Sequence, residues 1–235
     1  EGTARAIVLS STGRHFCAGM DLSVFTGGNL SGSEKTERGR QNAVTRSGAL
    51  HLQESFNCLE RARMPVLAAI QGGCVGGAVD MVTAADMRYA TSDAWFCIQE
   101  INIGMTADVG TLQRLPKLVP EGVVRELAYT GRRMSAQRAY EVGLVNEIFE
   151  THEELVAGVI EIGNEIASKS PLAIWGTKES VNYARDHSVA DSLNFIATWQ
   201  AGMFQPKDMA AAFEAQAKKE DPDFDDLPPM RKGLG

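Results

Sequence analysis

No stretch of this 235-residue chain is apolar for long enough to cross a bilayer. Metal-ligand spacing is lacking as well. The four histidines, His15, His51, His152 and His187, are scattered, and no cysteine–histidine cluster is present, so no metal site is expected. The four cysteines, Cys17, Cys58, Cys74 and Cys97, form no C-x-x-C pair, and each has apolar neighbours. Buried, reduced thiols are therefore expected rather than a disulfide framework. Basic residues are in deficit: 23 Lys and Arg stand against 30 Asp and Glu, for a formal net charge of -7. That balance opposes a general affinity for nucleic acid, although basic side chains can still gather around a phosphorylated ligand. There is no internal repeat and no signal-peptide pattern at the start. The chain enters a strand-like run, Arg5-Ala-Ile-Val-Leu-Ser10, almost at once, which suggests that an N-terminal piece, with any targeting signal, is missing.

What remains is an ordinary globular composition, 44% hydrophobic and 23% charged, in a chain long enough to bury a sizeable core. The organising stretch runs over residues 70–115. A β-type run, Pro65-Val-Leu-Ala-Ala-Ile70, ends in the glycine cluster Gly72-Gly-Cys-Val-Gly-Gly77, which opens a helix-like apolar stretch over residues 76–85. Glycines at such a turn let the backbone approach a ligand, because no Cβ stands in the way. The first helical turn leaves N–H groups free to meet a developing anion. A second glycine-bearing turn, Phe16-Cys-Ala-Gly-Met-Asp-Leu22, can supply a second backbone donor, and two donors make an oxyanion hole. Three acids, Asp80, Glu100 and Asp108, follow among residues that read as buried. Acids beside an oxyanion site suit proton transfer next to a carbonyl. A glycine turn alone is equally consistent with tight packing.

In chain order, residues 25–40 read as a polar, glycine-rich loop beside the site or as a plain surface loop. Residues 41–63 read as a helix closed by Met64-Pro65. Short strands are expected at 87–90, 94–97 and 144–149. Helices are expected at 111–118, from 119 onward with proline in the first turn, and at 135–143 with a serine cap and a glycine stop. The repeated strand–turn–helix order implies an α/β core with parallel strands. From residue 151 onward the pattern is helical, at 153–169, 171–185, 189–203 and 208–218. The acidic, proline-broken end reads as an extended tail. Residues 1–169 are taken as the α/β core and 170–235 as a helical region and tail.

In this order and spacing the sequence resembles the enoyl-CoA hydratase/isomerase (crotonase) superfamily. The carriers are Phe16 to Leu22, Pro65 to Ile70, Gly72-Gly-Cys-Val-Gly-Gly-Ala-Val-Asp80, Ala85-Asp-Met-Arg88, Leu144-Val-Asn146 and Ser170-Pro-Leu-Ala173. Within the superfamily it is most similar to the Δ3,5-Δ2,4-dienoyl-CoA isomerases. Asp80 stands where hydratases carry a glutamate, Glu100 matches their second glutamate, and Asp108 adds a third acid. Ala78 departs from a glycine often found in the turn.

The resemblance implies repeated ββα units, a helical C-terminal region used in assembly, and a homotrimer or dimer of trimers (a hexamer). It implies an acyl-CoA thioester substrate in fatty-acid β-oxidation. Coenzyme A would belong to the substrate, and no separate cofactor, membrane or nucleic-acid partner is implied. By position, the N–H groups of Met20 and Gly77 would bind the thioester oxygen. Glu100 would take a proton at C2, and Asp108, kept protonated by an apolar setting of Ile103, Met105 and Val109, would return one at C6. Asp80, the third candidate catalytic acid, would sit near the middle of the acyl chain, tuning its neighbours or assisting proton transfer. Arg14, Ala18 and Gly76 are further candidates for substrate contact, Arg14 through a coenzyme A phosphate. The competing structural readings are helix capping or pairing with Arg88 or Arg114 for the acids, space filling for Met20, and solvation for Arg14. Asp21 is expected to cap its turn, His15 to be a loop residue, and Trp95 and Phe96 to be core. The other readings are an enoyl-CoA hydratase, a Δ3-Δ2-enoyl-CoA isomerase, or a non-catalytic acyl-CoA-binding protein of the same fold. The compartment implied is a soluble, reducing one: mitochondrial matrix or peroxisome in a eukaryote, cytoplasm in a bacterium.

Overall fold

The computed structural model describes residues 2–21, 23, 37–204 and 206–230. The expected loop at 25–40 lies outside the described residues except for its last four positions. These already lead into helix α1, Arg38–Arg61, which Met64-Pro65 closes as expected.

The chain divides into two compact units. The larger comprises Ser10–Arg61 and Ala68–Val156. Strand β2, Val66–Ile70, is buried at all five positions, as its unbroken apolar run requires for a strand covered on both faces. A second strand then follows at once: β3, Gly73–Val75, where the glycine cluster in the sequence predicts a turn leading straight into a helix. The backbone explains it. Gly72 takes φ 55° and turns the chain, and Gly73 lies beneath the Trp95 ring, so close that a Cβ would sit 2.9 Å from it. Two β-permissive residues, Cys74 and Val75, complete the strand. Helix α2, Gly77–Thr83, comes next, so β2–β3–α2 is one ββα unit.

The pattern repeats. Strands β4, Met87–Thr91, and β5, Trp95–Cys97, lead into a 3-10 turn, Glu100–Ile103, a short helix α3, Thr111–Arg114, and α4, Glu121–Thr130. Pro120 is the N-cap of α4 rather than part of its first turn. Strand β6, Met134–Ser135, is too short to be read from periodicity. Ser135 also caps α5, Ala136–Glu141, by accepting a 3.2 Å bond from the Arg138 N–H. β7, Glu147–Phe149, runs parallel to β4, while β5 pairs parallel with β3 and antiparallel with β6.

Arg88 locks this unit internally. Its buried guanidinium donates to the Leu144, Ala85 and Val82 carbonyls at 2.7, 2.8 and 3.2 Å, closing the C-terminal end of α2. Burial lowers its pKa to about 10, which leaves it charged at neutral pH.

The smaller unit comprises Glu1–Leu9, Ala62–Leu67 and Ala157–Gly235, so the boundary read at 169/170 falls inside it. It holds β1, Ile7–Leu9, the later turns of α6, His152–Ala167, and helices α7, Pro171–Asp186, α8, Val189–Met203, and α9, Pro206–Lys218. β1 enters here because the Ile7 N–H donates to Pro65 at 2.9 Å and Gly163 of α6 packs on Val8 and Ala6. Helices α7 and α8 meet through Gly176, which leaves room for Trp199, and through an edge-on Trp175–Trp199 pair. Ser170 and Ser188 cap α7 and α8. No helix among the described residues is long and apolar enough to cross a membrane.

Candidate active site

Six of the eight residues singled out from the sequence come together. Ala18, Met20, Gly76, Gly77, Glu100 and Asp108 line one cavity of about 440 Å³ in the larger unit. The two glycine turns are held together by β3. The Cys17 N–H donates to Gly73 and the Val75 N–H donates to Cys17, both at 3.1 Å. Gln71 pins the preceding loop from below, with its Nε2 within 3.0 Å of the Ser11 and Gly13 carbonyls and the Ser11 hydroxyl. Gly19 is required at its position: φ is 98°, and a Cβ would lie 3.2 Å from the Val75 oxygen. Among the described residues, the N–H groups of Met20 and Gly77 have no hydrogen-bond acceptor. Gly76, at φ 57°, spends its own N–H on Cys97 at 2.9 Å.

Glu100 opens the 3-10 turn and is half-buried. Its carboxylate rests against Gly76, where a Cβ would lie 3.3 Å from Oε1. Burial raises its pKa above the ordinary 4.5, and the charges of Asp80 and Asp108 add to the rise.

Asp80 lies behind this cavity rather than in its lining. It is fully buried on α2. Oδ1 accepts a 2.6 Å bond from the Thr111 N–H, the first of α3, while Oδ2 is buried without a partner among the described residues. Burial raises its pKa. The Thr111 N–H pulls it back, the Asp108 charge pushes it up, and the Arg114 charge lowers it, with a net shift upward. Asp80 thus takes part of the capping role that competed with catalysis. Arg114 binds Asn57 and Glu60 instead, at 2.6 and 2.8 Å.

Asp108 differs from its expected setting. It is exposed, although Ile103, Met105 and Val109 line the same cavity. The segment between the 3-10 turn and α3 turns Ala107 and Gly110 inward and leaves Asp108 outward, with its carbonyl held by Gln53 at 2.8 Å. The acids are therefore graded from buried Asp80 through half-buried Glu100 to exposed Asp108.

Arg14 is exposed and outside the cavity lining, and its carbonyl packs on Gly72. Among the described residues the cation in the lining is Arg133, whose guanidinium lies 3.8 Å from the centre of the Trp95 ring. Trp95 is therefore a wall residue, whereas Phe96 is core. The signal for both was weak, since an aromatic at the head of a three-residue strand and an arginine beside a two-residue one carry no periodicity. His15 lines the cavity too, and its Nδ1 accepts from the Gly73 N–H at 2.9 Å, fixing the entry to β3. Asp21 accepts from the Ser23 N–H at 2.9 Å and caps its turn as expected.

The enoyl-CoA hydratase/isomerase family pattern matches residues 1–227. The chain belongs to that family. Among curated relatives, the mitochondrial Δ(3,5)-Δ(2,4)-dienoyl-CoA isomerase of Homo sapiens is 41% identical over 222 residues, covering 94% of this chain and 67% of that protein. The peroxisomal Δ(3,5)-Δ(2,4)-dienoyl-CoA isomerase of Arabidopsis thaliana is 41% identical over 218 residues, 93% of this chain and 78% of its own. A crotonyl-CoA hydratase of Syntrophomonas wolfei is 31% identical over 93% of this chain and 79% of its own. The crystal structure of an enoyl-CoA hydratase from Bacillus anthracis superposes with a TM-score of 0.82 at 30% identity, covering 94% of this chain and 81% of the other. The fold read from the sequence, an α/β core of ββα units with a helical C-terminal region, is the fold of this family.

Proposed function

We propose that this chain is a Δ3,5-Δ2,4-dienoyl-CoA isomerase. The observation that carries the reading is a single cavity bounded by two acids, Glu100 and Asp108, and by two N–H groups without acceptors among the described residues, those of Met20 and Gly77. Identity of 41% to isomerases of that name supports it.

In this reading the thioester oxygen accepts from both N–H groups. Glu100 removes a proton from C2, and the electron pair spreads from C2 through the C3–C4 and C5–C6 double bonds and onto the held oxygen. A proton delivered at C6 by Asp108 then leaves double bonds at C2 and C4. The chemistry favours two acids because C2 and C6 are too far apart for one carboxylate to serve both. Backbone donors at the oxygen contribute several kcal/mol at the enolate, about 3 kcal/mol for each donor. Raised basicity suits Glu100 to the first step. Asp80 acts on both acids through its position rather than by touching the chain. Assembly as a trimer or dimer of trimers fits the exposed apolar side chains of the smaller unit, among them Val181, Val189, Leu193 and Phe213. A mitochondrial or peroxisomal site would match the compartments named for the isomerase relatives.

The test is an absorbance assay with a 3,5-dienoyl-CoA. Conjugation with the thioester moves the band to longer wavelength as the 2,4-dienoyl product forms. Wild type should show the shift, and Glu100→Gln and Asp108→Asn should each lose it. Wild type inert on the diene but hydrating a 2-enoyl-CoA would make it a hydratase. Inertness to both, with thioesters still bound, would make it a binding protein.

A further inference from the structure

The 3-10 turn that carries Glu100 is tied down at a junction no catalytic group belongs to. Asn102 lies two residues beyond Glu100. Its Nδ2 donates to the Gly131 carbonyl at 2.9 Å and to Gln99 Oε1 at 3.0 Å. Its own N–H donates to the Gln99 carbonyl at 3.0 Å, inside the turn. Cys97, at the end of β5, brings its thiol within 3.2 Å of the same Gly131 carbonyl and 3.3 Å of the same Gln99 oxygen. Burial raises the Cys97 pKa, so the sulfur keeps its proton and remains a donor at neutral pH. Gly131 is the left-handed cap of α4, at φ 60°. A Cβ there would lie 2.2 Å from Asn102 Oδ1. Both the backbone angle and the space therefore require glycine.

The junction joins three pieces of chain, the end of β5, the Glu100 turn and the C-terminus of α4. Glu100 is the only residue of the turn with a carboxylate, and that carboxylate rests on Gly76, next to Gly77, whose N–H has no acceptor among the described residues. Four residues of 3-10 helix hold their shape poorly alone, and a base must keep its orientation to work.

We infer that Asn102 is a positioning residue for Glu100, acting through its paired hydrogen bonds to Gly131 and Gln99. The inference rests on the isomerase reading only in taking Glu100 as the base. Asn102 is exposed, so its loss should not unfold the chain. Asn102→Asp keeps the shape but replaces the donating amide with oxygens that repel the Gly131 and Gln99 oxygens. Asn102→Ala removes the group. Gly131→Ala pushes Asn102 away from the other side.

The experiment measures kcat, KM and the pH dependence of kcat on a 3,5-dienoyl-CoA for wild type and the three variants, with melting temperature recorded for each. The expected result is a fall in kcat of about tenfold or more, an effect of misorientation, with KM within twofold. The acidic limb of the kcat profile should move to lower pH as Glu100 gains solvent. Asn102→Asp should behave like Asn102→Ala despite its shape. A change in melting temperature alone, with kcat and the acidic limb unmoved, would overturn the inference. So would an Asn102→Asp variant that works like wild type. If wild type itself does not isomerise the diene but hydrates a 2-enoyl-CoA, the isomerase reading fails. The inference is then judged by the same comparison on hydration.

Discussion

The Asp80 carboxyl holds the Thr111 N–H at 2.6 Å with one oxygen while its other oxygen is buried without a partner among the described residues. Thr111 stands three residues after Asp108, so the buried acid anchors the segment that presents the exposed one. It also adds its charge to the burial that raises the Glu100 pKa.

Asp80→Asn separates these effects. The amide oxygen still accepts from Thr111, but the charge is gone. Asp80 and Glu100 both have folded values above their ordinary 3.8 and 4.5. Each therefore contributes stability that is full below the ordinary value and is lost as pH rises through the folded value. The variant loses less over that window, because position 80 no longer ionises and Glu100 no longer faces its charge. Urea unfolding at pH 4 and pH 8 should show the variant gaining on wild type at the higher pH. The acidic limb of kcat should move to lower pH in the same variant. An unchanged stability difference between the two pH values would remove the buried charge from the account.

Gly19→Ala tests the turn that presents Met20. A side chain there faces a left-handed backbone angle and the Val75 oxygen at 3.2 Å. The turn must shift, and the Met20 N–H with it. Loss of one preorganised donor lowers kcat by about 10²–10³-fold in acyl chemistry, and a fall of that order is expected. Circular dichroism should report an otherwise folded protein.

Gln71→Leu removes the donors under the same loop. The Ser11 and Gly13 carbonyls that Nε2 now serves lose a partner. Both carbonyls belong to residues that are not buried, so each lost bond costs about 0.5–1.5 kcal/mol. Unfolding midpoint and kcat/KM should fall together, because one side chain supports both the fold and the turn. A variant that lost stability while keeping full kcat/KM would show that the loop holds its shape without Gln71.

Arg88→Met should separate them in the other direction. Three carbonyls lose their donor, and a loss of stability on the order of 3 kcal/mol follows from leaving such groups unpaired. The residue is outside the cavity lining. Activity per folded molecule at low temperature should stay near wild type, as read by initial rates normalised to the folded fraction.

Much of this architecture was legible because it is written in strong local signals. Ser188 caps α8 where a serine before a helical period said it would, and α8 spans residues 189–203 as read. The glycine turns and the three acids stood out because their chemistry is unusual in a buried setting. Burial itself was not legible. Asp80, Glu100 and Asp108 sit in similar sequence surroundings, yet they run from buried through half-buried to exposed, because exposure depends on which way a turn faces after distant strands have paired. Strand β3 was missed since glycine carries no β-pattern, and its place is set by pairing with Cys17 and β5. Arg133 and Trp95 were missed as wall residues because their partnership spans 38 positions and shows only in their 3.8 Å stacking.

One N–H group lies in the Met20 turn held by β3 and the other opens α2, three residues before Asp80, while Glu100 and Asp108 come from the chain after β5. In the proposed mechanism the grip on the thioester and the two acids of the cavity, Glu100 and Asp108, thus lie on separate pieces of polypeptide. A descendant could exchange one acid at a time and keep its hold on the substrate throughout. For a lineage built this way, a new reaction is a short mutational walk that need not pass through a form unable to bind.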